Sequence, residues 1–218
     1  MMKKYILFDL DGTLTDPKEG ITKCVQYALD YFGIHEEDTD SLTKFIGPPL
    51  EDSFKQYYNM SDEDADKAVE KYRERFGSIG IFENAVYDGV IDMLGVLKGE
   101  GKFLALATSK PDVFAKRITD KYGISPYLDA LSGGKIGGSC DKAHVITKAL
   151  EAFGLGDNDK PAVIMVGDRK HDIIGAKKCQ IESVGVRFGY AERNELEDAG
   201  ADYIVSSVEE LKELLCAL

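Results

Sequence analysis

The sequence predicts an α/β protein: a parallel sheet with helices on both faces, interrupted after its first strand by an inserted all-helical segment. Three observations lead there. Short apolar runs alternate with stretches of helical apolar spacing through the C-terminal part of the chain, and strands that alternate with helices build parallel sheets covered on both faces. Residues 16–83 break that alternation, with helical patterns and no strand. The length, 218 residues, suits one large domain or one domain with an insertion.

Tyr5 to Leu10 is an apolar run closed by acids and Gly12, as expected of a buried strand entering a loop. Asp16-Pro17 reads as an N-cap and a first-turn proline. Ile21, Val25, Ala28, Leu29 and Phe32 follow at helical spacing until Gly33 ends the pattern. Gly47-Pro48-Pro49 is a breaker. After it come a short helix around Leu50, Phe54 and Tyr57 and a longer charged helix from Asp62 to Phe76, with Ser61 and Asp64 as its capping pair. Beyond Glu83, Val90, Leu94 and Leu97 mark a helix that Gly99 and Gly101 close. Phe103 to Ala107 is a strand, and Pro111 opens a helix through Val113, Phe114 and Ile118. The run from Gly133 to Gly138 is read as a loop. Asp141 starts a helix with Val145, Ile146, Ala149, Leu150 and Phe153 on one face. A strand over 162–166, a helix around Ile173 to Cys179, strands over 184–188 and 203–205 and a last helix through Leu211 and Leu215 complete a Rossmann-like order. The expected division is a core of 1–15 and 84–218 and a helical insertion of 16–83.

Composition narrows the function classes. Hydrophobic residues at 44% and charged residues at 30% suit a folded globular chain. The net charge is −12 and no basic stripe gathers anywhere, which argues against nucleic acid, where Lys and Arg must replace counterions. Cys24, Cys140, Cys179 and Cys216 are scattered and form no CxxC pair, so reduced thiols and a cytoplasmic location are expected. The apolar run near the N-terminus is cut at Asp9, too early for a signal peptide. No apolar run approaches the roughly 18 residues that span a bilayer.

In an open parallel sheet, ligands bind beyond the carboxyl ends of the strands. The residues expected there are Asp9 and Asp11 after the first strand, Thr108 and Ser109 after the second, and Asp168 and Asp172 after the third. Asp9 and Asp11 can face the same way on an extended chain, and Asp168 and Asp172 are placed one turn apart on a helix opening from Gly167. Converging carboxylates repel one another. A hard divalent cation removes the conflict, and an oxygen-only donor set without a His or Cys cluster points to Mg²⁺ rather than Zn²⁺. His35, His144 and His171 are too dispersed to form a site of their own.

The segment Phe8-Asp9-Leu10-Asp11-Gly12-Thr13-Leu14-Thr15-Asp16 resembles, across its whole length, the first motif of the haloacid dehalogenase superfamily. Thr108 is similar to the second motif, Lys142 to the third, and Gly167-Asp168 through Asp172 to the fourth. The resemblance covers essentially the entire chain, with the insertion in the place of the family's cap. It implies an aspartyl-phosphate mechanism. Asp9 is the nucleophile and Asp11 the proton donor and acceptor. Asp9, the backbone carbonyl of Asp11, Asp168 and Asp172 serve Mg²⁺, and Thr108 and Lys142 stabilise the phosphoryl group. Lys135, in the glycine-rich run, is the rival of Lys142. The acid at Asp11 argues for a phosphatase or phosphomutase over a carbon–halogen hydrolase. Gly47-Pro48-Pro49-Leu50 looks like the cap of phosphoglycolate phosphatase and 5′-nucleotidase-like members, which makes Gly47 and Pro48, with Thr108 and Ser109, candidates for substrate binding. The expected substrate is a small phosphorylated metabolite, with no nucleic acid or membrane partner, and the protein is expected to be a monomer or homodimer. A non-catalytic binding protein on this fold is the alternative from another class.

Overall fold

The computed structural model describes residues 2–135 and 141–218. The chain divides into two units, Met1–Thr15 with Val86–Leu218, and Asp16–Ala85. The first is built on a six-stranded parallel sheet of β1 (Tyr5–Phe8), β4 (Phe103–Pro111), β5 (Ala130–Gly134), β6 (Val163–Gly167), β7 (Glu182–Val186) and β8 (Tyr203–Val205). Two short strands, β2 (Thr15–Asp16) and β3 (Ala85–Val86), pair separately as a ribbon.

The sheet order is β5-β4-β1-β6-β7-β8. The chain builds outward from β1 on one side through β4 and β5, then returns to its other side with β6. This makes β1 the point where the strand order reverses, and the crevice at such a point is where open α/β sheets bind ligands. Phe8 is level with Leu106 on one neighbour and Val166 on the other. The next residues, Asp9, Ala107 and Gly167, therefore lie side by side where β1 ends.

The helices of this unit are α4 (Val90–Gly99), α5 (Asp112–Lys121), α6 (Lys142–Ala152), α7 (Lys170–Cys179), α8 (Glu195–Ala199) and α9 (Val208–Ala217). Leu7, Ala105 and Met165 from one face of the sheet pack with Val145, Ile146 and Ala149 of α6 and Ala176 of α7. Ile6, Phe8, Leu104 and Ile164 alternate to the opposite face and are also fully buried. Burial on both faces explains why these strands read as continuous apolar runs rather than alternating ones.

The second unit is helical: α1 (Lys18–Tyr31), α2 (Leu50–Tyr58) and α3 (Asp62–Phe76), with short 3-10 turns at Asp40–Phe45 and Gly80–Phe82. Val25, Ala28 and Leu29 of α1 lie in its interior with Phe45, Phe54 and Tyr72, and the Phe45 and Phe54 rings are 5.0 Å apart. Ser61 caps α3 as expected, accepting the Asp64 N–H at 3.1 Å. Among the described residues, no helix is long and apolar enough to cross a membrane.

Three local expectations need correction. Gly133 and Gly134 belong to β5 rather than to a loop. A Cβ on Gly133 would lie 2.7 Å from the Lys110 carbonyl oxygen, so the glycine permits close approach to the end of β4. Residues 136–138 of that expected loop, and Cys140, lie outside the described residues. Second, Pro17 rather than Asp16 occupies the N-cap position of α1. Pro17 has no N–H, and Asp16 instead accepts the Lys18 N–H at 2.9 Å. Third, Asp168 is not on α7. The helix begins at Lys170, because the Asp172 carboxylate accepts the Arg169 N–H at 3.0 Å and fixes the helix start there.

Candidate active site

Asp9 follows β1 directly, and its N–H donates to the Val166 carbonyl at 2.9 Å. Asp168 follows β6, and Asp172 is the third residue of α7. These separations in sequence close in space: a carboxylate oxygen from each of Asp9, Asp168 and Asp172 lies within 4.8 Å of the others. Asp172 fits so near the strand end because residue 167 is glycine. A Cβ there would stand 2.1 Å from the Asp172 carboxyl carbon.

Lys142, the first residue of α6, reaches into the same cluster. Its ammonium is 2.9 Å from Asp9 Oδ1, 2.8 Å from Asp172 Oδ1 and 3.3 Å from the Ala107 carbonyl oxygen. Its side chain is 3% exposed. Lys135 is exposed at the end of β5. Thr108 is buried next to Asp9's neighbouring strand end, with Ser109 partly exposed beside it. Asp11 joins its carboxylate to Lys110 at 2.7 Å rather than to the three-acid cluster. Gly47 and Pro48 stand in the second unit, between the Asp40–Phe45 turn and α2, with Gly47 in the left-handed region at φ 102°.

Several contributors were not legible beforehand. Lys110 is one. The Tyr190 N–H, which donates to Asp168 Oδ2 at 2.7 Å, is another. Glu195 is a third: its Oε1 accepts from Arg169 Nε at 3.0 Å and from the Lys170 N–H at 2.8 Å, pinning the turn that carries Asp168. Lys110 had a signal, its place immediately after Thr108-Ser109 at a strand end. Tyr190 and Glu195 had none, since a backbone N–H and a helix-start acid look alike wherever they occur.

Crowding shows in the ionisation of these groups. Burial first, then the Asp172 and Asp9 charges, hold the Asp168 carboxyl well above the ordinary carboxylate range. Burial pushes Asp172 up to about 6; Lys142 opposes this and Asp9 adds to it. Burial also raises Asp11, against the pull of Lys110. For Lys142 burial works against the charge, but Asp172 and Asp9 outweigh it and hold the ammonium above the usual lysine range. Two acidic oxygens that Lys142 does not reach, Asp168 Oδ1 and Asp11 Oδ1, are buried without a hydrogen-bond partner among the described residues. An all-oxygen cluster with such an atom fits a hard divalent cation.

A raised carboxyl adds stability below its unfolded pKa and loses it as pH rises through the folded one. For Asp172 that loss runs from the unfolded value near ~4 up to about 6. The cation-free protein should lose stability across this interval, and a divalent cation, if these carboxylates hold it, should raise Tm more at about pH 7.5 than at about pH 5, because carboxylate ligands must be deprotonated. Equal Tm shifts at both pH values in scanning calorimetry would contradict this.

The sequence profile of the haloacid dehalogenase-like hydrolases matches residues 6–186. The chain belongs to the haloacid dehalogenase-like hydrolases. It is similar to a 5′-nucleotidase of Pseudomonas aeruginosa, 40% identical over 96% of this chain and 94% of that one. It is 32% identical to the tyrosine-protein kinase PtkA of Mycobacterium tuberculosis, over 97% of this chain and 72% of the kinase. A phosphoglycolate phosphatase of Agrobacterium fabrum is 28% identical over 85% of this chain and 81% of its own. The crystal structure of a predicted phosphatase from Clostridium acetobutylicum matches with a TM-score of 0.93 at 47% identity, covering 100% of both chains. The α/β fold and the resemblance expected from the first and fourth motifs are borne out. This haloacid dehalogenase-like hydrolase is an enzyme of the phosphatase class.

Proposed function

We propose that this haloacid dehalogenase-like hydrolase is a Mg²⁺-dependent phosphatase that cleaves a small phosphomonoester through an aspartyl-phosphate on Asp9. The observation that carries the reading is the set of charges around Asp9. Two further carboxylates have oxygens within 4.8 Å of it and of each other, and one buried ammonium stands 2.9 Å away. Asp9, Asp168, Asp172 and the backbone carbonyl of Asp11 are the residues that would hold Mg²⁺. When bound, the ion supplies positive charge to the phosphoryl oxygens and orients them for in-line attack.

The protein residues do the rest. An Asp9 oxygen attacks phosphorus and the bond to the leaving oxygen breaks. Asp11 gives that oxygen a proton. Water then attacks phosphorus, Asp11 recovers a proton from it, and the Asp9–phosphorus bond breaks to release inorganic phosphate. Lys142 and Thr108 stabilise charge on the phosphoryl group. The molecule carries a net charge of −12, and at the strand ends the side chains of Lys142 and Lys110, 3% and 7% exposed, offset part of the charge of the four carboxylates; a bound cation would supply the rest.

Nucleoside 5′-monophosphates are the first substrates to test, on the strength of the 40% identical relative, and phosphoglycolate the second. A screen of phosphorylated metabolites should show Mg²⁺-dependent phosphate release that excess EDTA abolishes. Substitutions at Gly47 or Pro48 should reorder the substrates while changing p-nitrophenyl phosphate turnover a few-fold at most, since φ is restricted there. Full turnover in EDTA by metal-free protein would sink the metal assignment, and equal effects on every ester would make that loop structural. The kinase relative favours a second reading, transfer of the Asp9 phosphoryl group to an organic hydroxyl. Stoichiometric release of inorganic phosphate in the same screen decides against it.

A further inference from the structure

The end of β4 is irregular in a way the phosphoryl chemistry above does not require. Ala107 is level with Ser132 of β5 and Pro111 with Gly134. β4 thus uses four residues where β5 uses two, and the excess is a bulge at residues 108–110. Bulges re-aim side chains next to active sites. Two features fit this one. Gly133, opposite the bulge, has no Cβ to strike the Lys110 carbonyl oxygen 2.7 Å away. The Lys110 N–H also points to Thr108 Oγ1 at 3.3 Å, so the bulge is tied to a residue of the crevice itself.

The bulge delivers the Lys110 side chain to Asp11. Nζ is 2.7 Å from Asp11 Oδ2, with the two side chains 7% and 16% exposed. An ion pair so withdrawn from water differs from a surface pair, whose geometry is loose and whose worth is small. The two oxygens of Asp11 are unlike each other. Oδ2 meets the ammonium, whereas Oδ1 is buried without a hydrogen-bond partner among the described residues. The Asp11 backbone is fixed as well, in a bridge with Thr15. The side-chain torsions are what remains to be set.

We propose that Lys110 is a positioning residue for the acid–base step, holding Asp11 by Oδ2 so that Oδ1 is the oxygen that exchanges the proton with the leaving group and with water. The inference rests on the reading of Asp11 as the acid and base. In the first half-reaction the proton on Oδ1 passes to the leaving oxygen as its bond to phosphorus breaks. Asp11 becomes a carboxylate, and its new charge falls beside the ammonium. In the second half-reaction Oδ1 takes a proton from the attacking water. The contact of Lys110 with Oδ2 serves both states, because Oδ2 is an acceptor in the acid and in the carboxylate.

General acid help matters in proportion to the basicity of the leaving oxygen. The test compares the first-turnover release of alcohol from p-nitrophenyl phosphate, whose leaving group needs little protonation, with that from glycerol 2-phosphate, whose alcohol is neutral and strongly basic as the alkoxide. The ratio of the two rates is taken within each variant, so a partly folded sample does not distort it. Lys110→Met should slow the glycerol ester by roughly 10–10² and the nitrophenyl ester by a few-fold at most, within the ~10²–10⁴ available to proton transfer. Lys110→Arg should restore most of the loss, and Lys110→Gln should fall between. Equal losses on both esters, or a rise in KM with the ratio unchanged, would overturn the proposal in favour of a structural or substrate-binding role. Asp11→Asn separates the two failures. Loss of the glycerol ester in Asp11→Asn with none in Lys110→Met overturns the role of Lys110 alone. No selective loss in Asp11→Asn overturns the acid assignment and the role of Lys110 with it.

Discussion

Asp9→Asn is expected to lower phosphomonoester turnover by roughly 10⁴-fold or more, the scale seen when a covalent nucleophile is removed. The amide is nearly isosteric with the carboxylate, so the strand end should keep its shape. It is uncharged, so the crowding that raises Asp168 and Asp172 is relieved, and thermal stability without cation should hold or rise. Phosphate release and thermal unfolding on the same preparation check both halves. A residual rate above ~1%, with deamidation excluded, would mean that another group attacks phosphorus.

Lys142→Ala is expected to cost roughly 10²–10³ in turnover, by analogy with the loss of one preorganised oxyanion donor. Lys135→Ala should cost a few-fold at most. The contrast follows from placement. Lys142 is fixed at the start of α6 with its ammonium between Asp9 and Asp172, whereas Lys135 is exposed. Losing Lys142 also leaves the buried Asp172 and the partly buried Asp9 without their cationic partner, which costs stability. Both variants should therefore be assayed in saturating Mg²⁺ with folding confirmed by circular dichroism. Small effects from both would shift the phosphoryl charge to Mg²⁺, Thr108 and backbone amides. A large effect from Lys135→Ala alone would transfer the role to Lys135.

Most of the site visible in the sequence sits next to a strand; Lys142, at the start of α6, came from the family resemblance. An apolar run ending in Asp9-Leu10-Asp11 or in Gly167-Asp168 announces both the strand and the group beyond it, and the parallel order then brings those ends together. β5 stayed hidden because Ala130–Gly134 ends in two glycines, residues that weaken a strand and ordinarily mark loops. Its Gly133 is explained by the Lys110 carbonyl and by Asp112, both of which a Cβ there would strike. Asp168 and Asp172 were expected one helical turn apart, and the sequence spacing allowed it. The actual helix start depends on the Asp172 carboxylate capping the Arg169 N–H, a side-chain choice that spacing does not reveal. Lys110 stayed hidden for a different reason. A lysine after a strand reads as solvated, and its burial depends on a bulge that exists only once β4 and β5 are paired.

The central claim is a covalent phosphoryl group on Asp9, and the most direct measurement is to trap it. Enzyme mixed with a good substrate and Mg²⁺, quenched in acid within the first turnover and digested, should give a peptide spanning Asp9 that is heavier by one phosphoryl group. The modification should be labile to hydroxylamine, as an acyl phosphate is, and absent from Asp9→Asn. Rapid phosphate release with no such adduct, or an adduct that maps to another residue, would contradict the account.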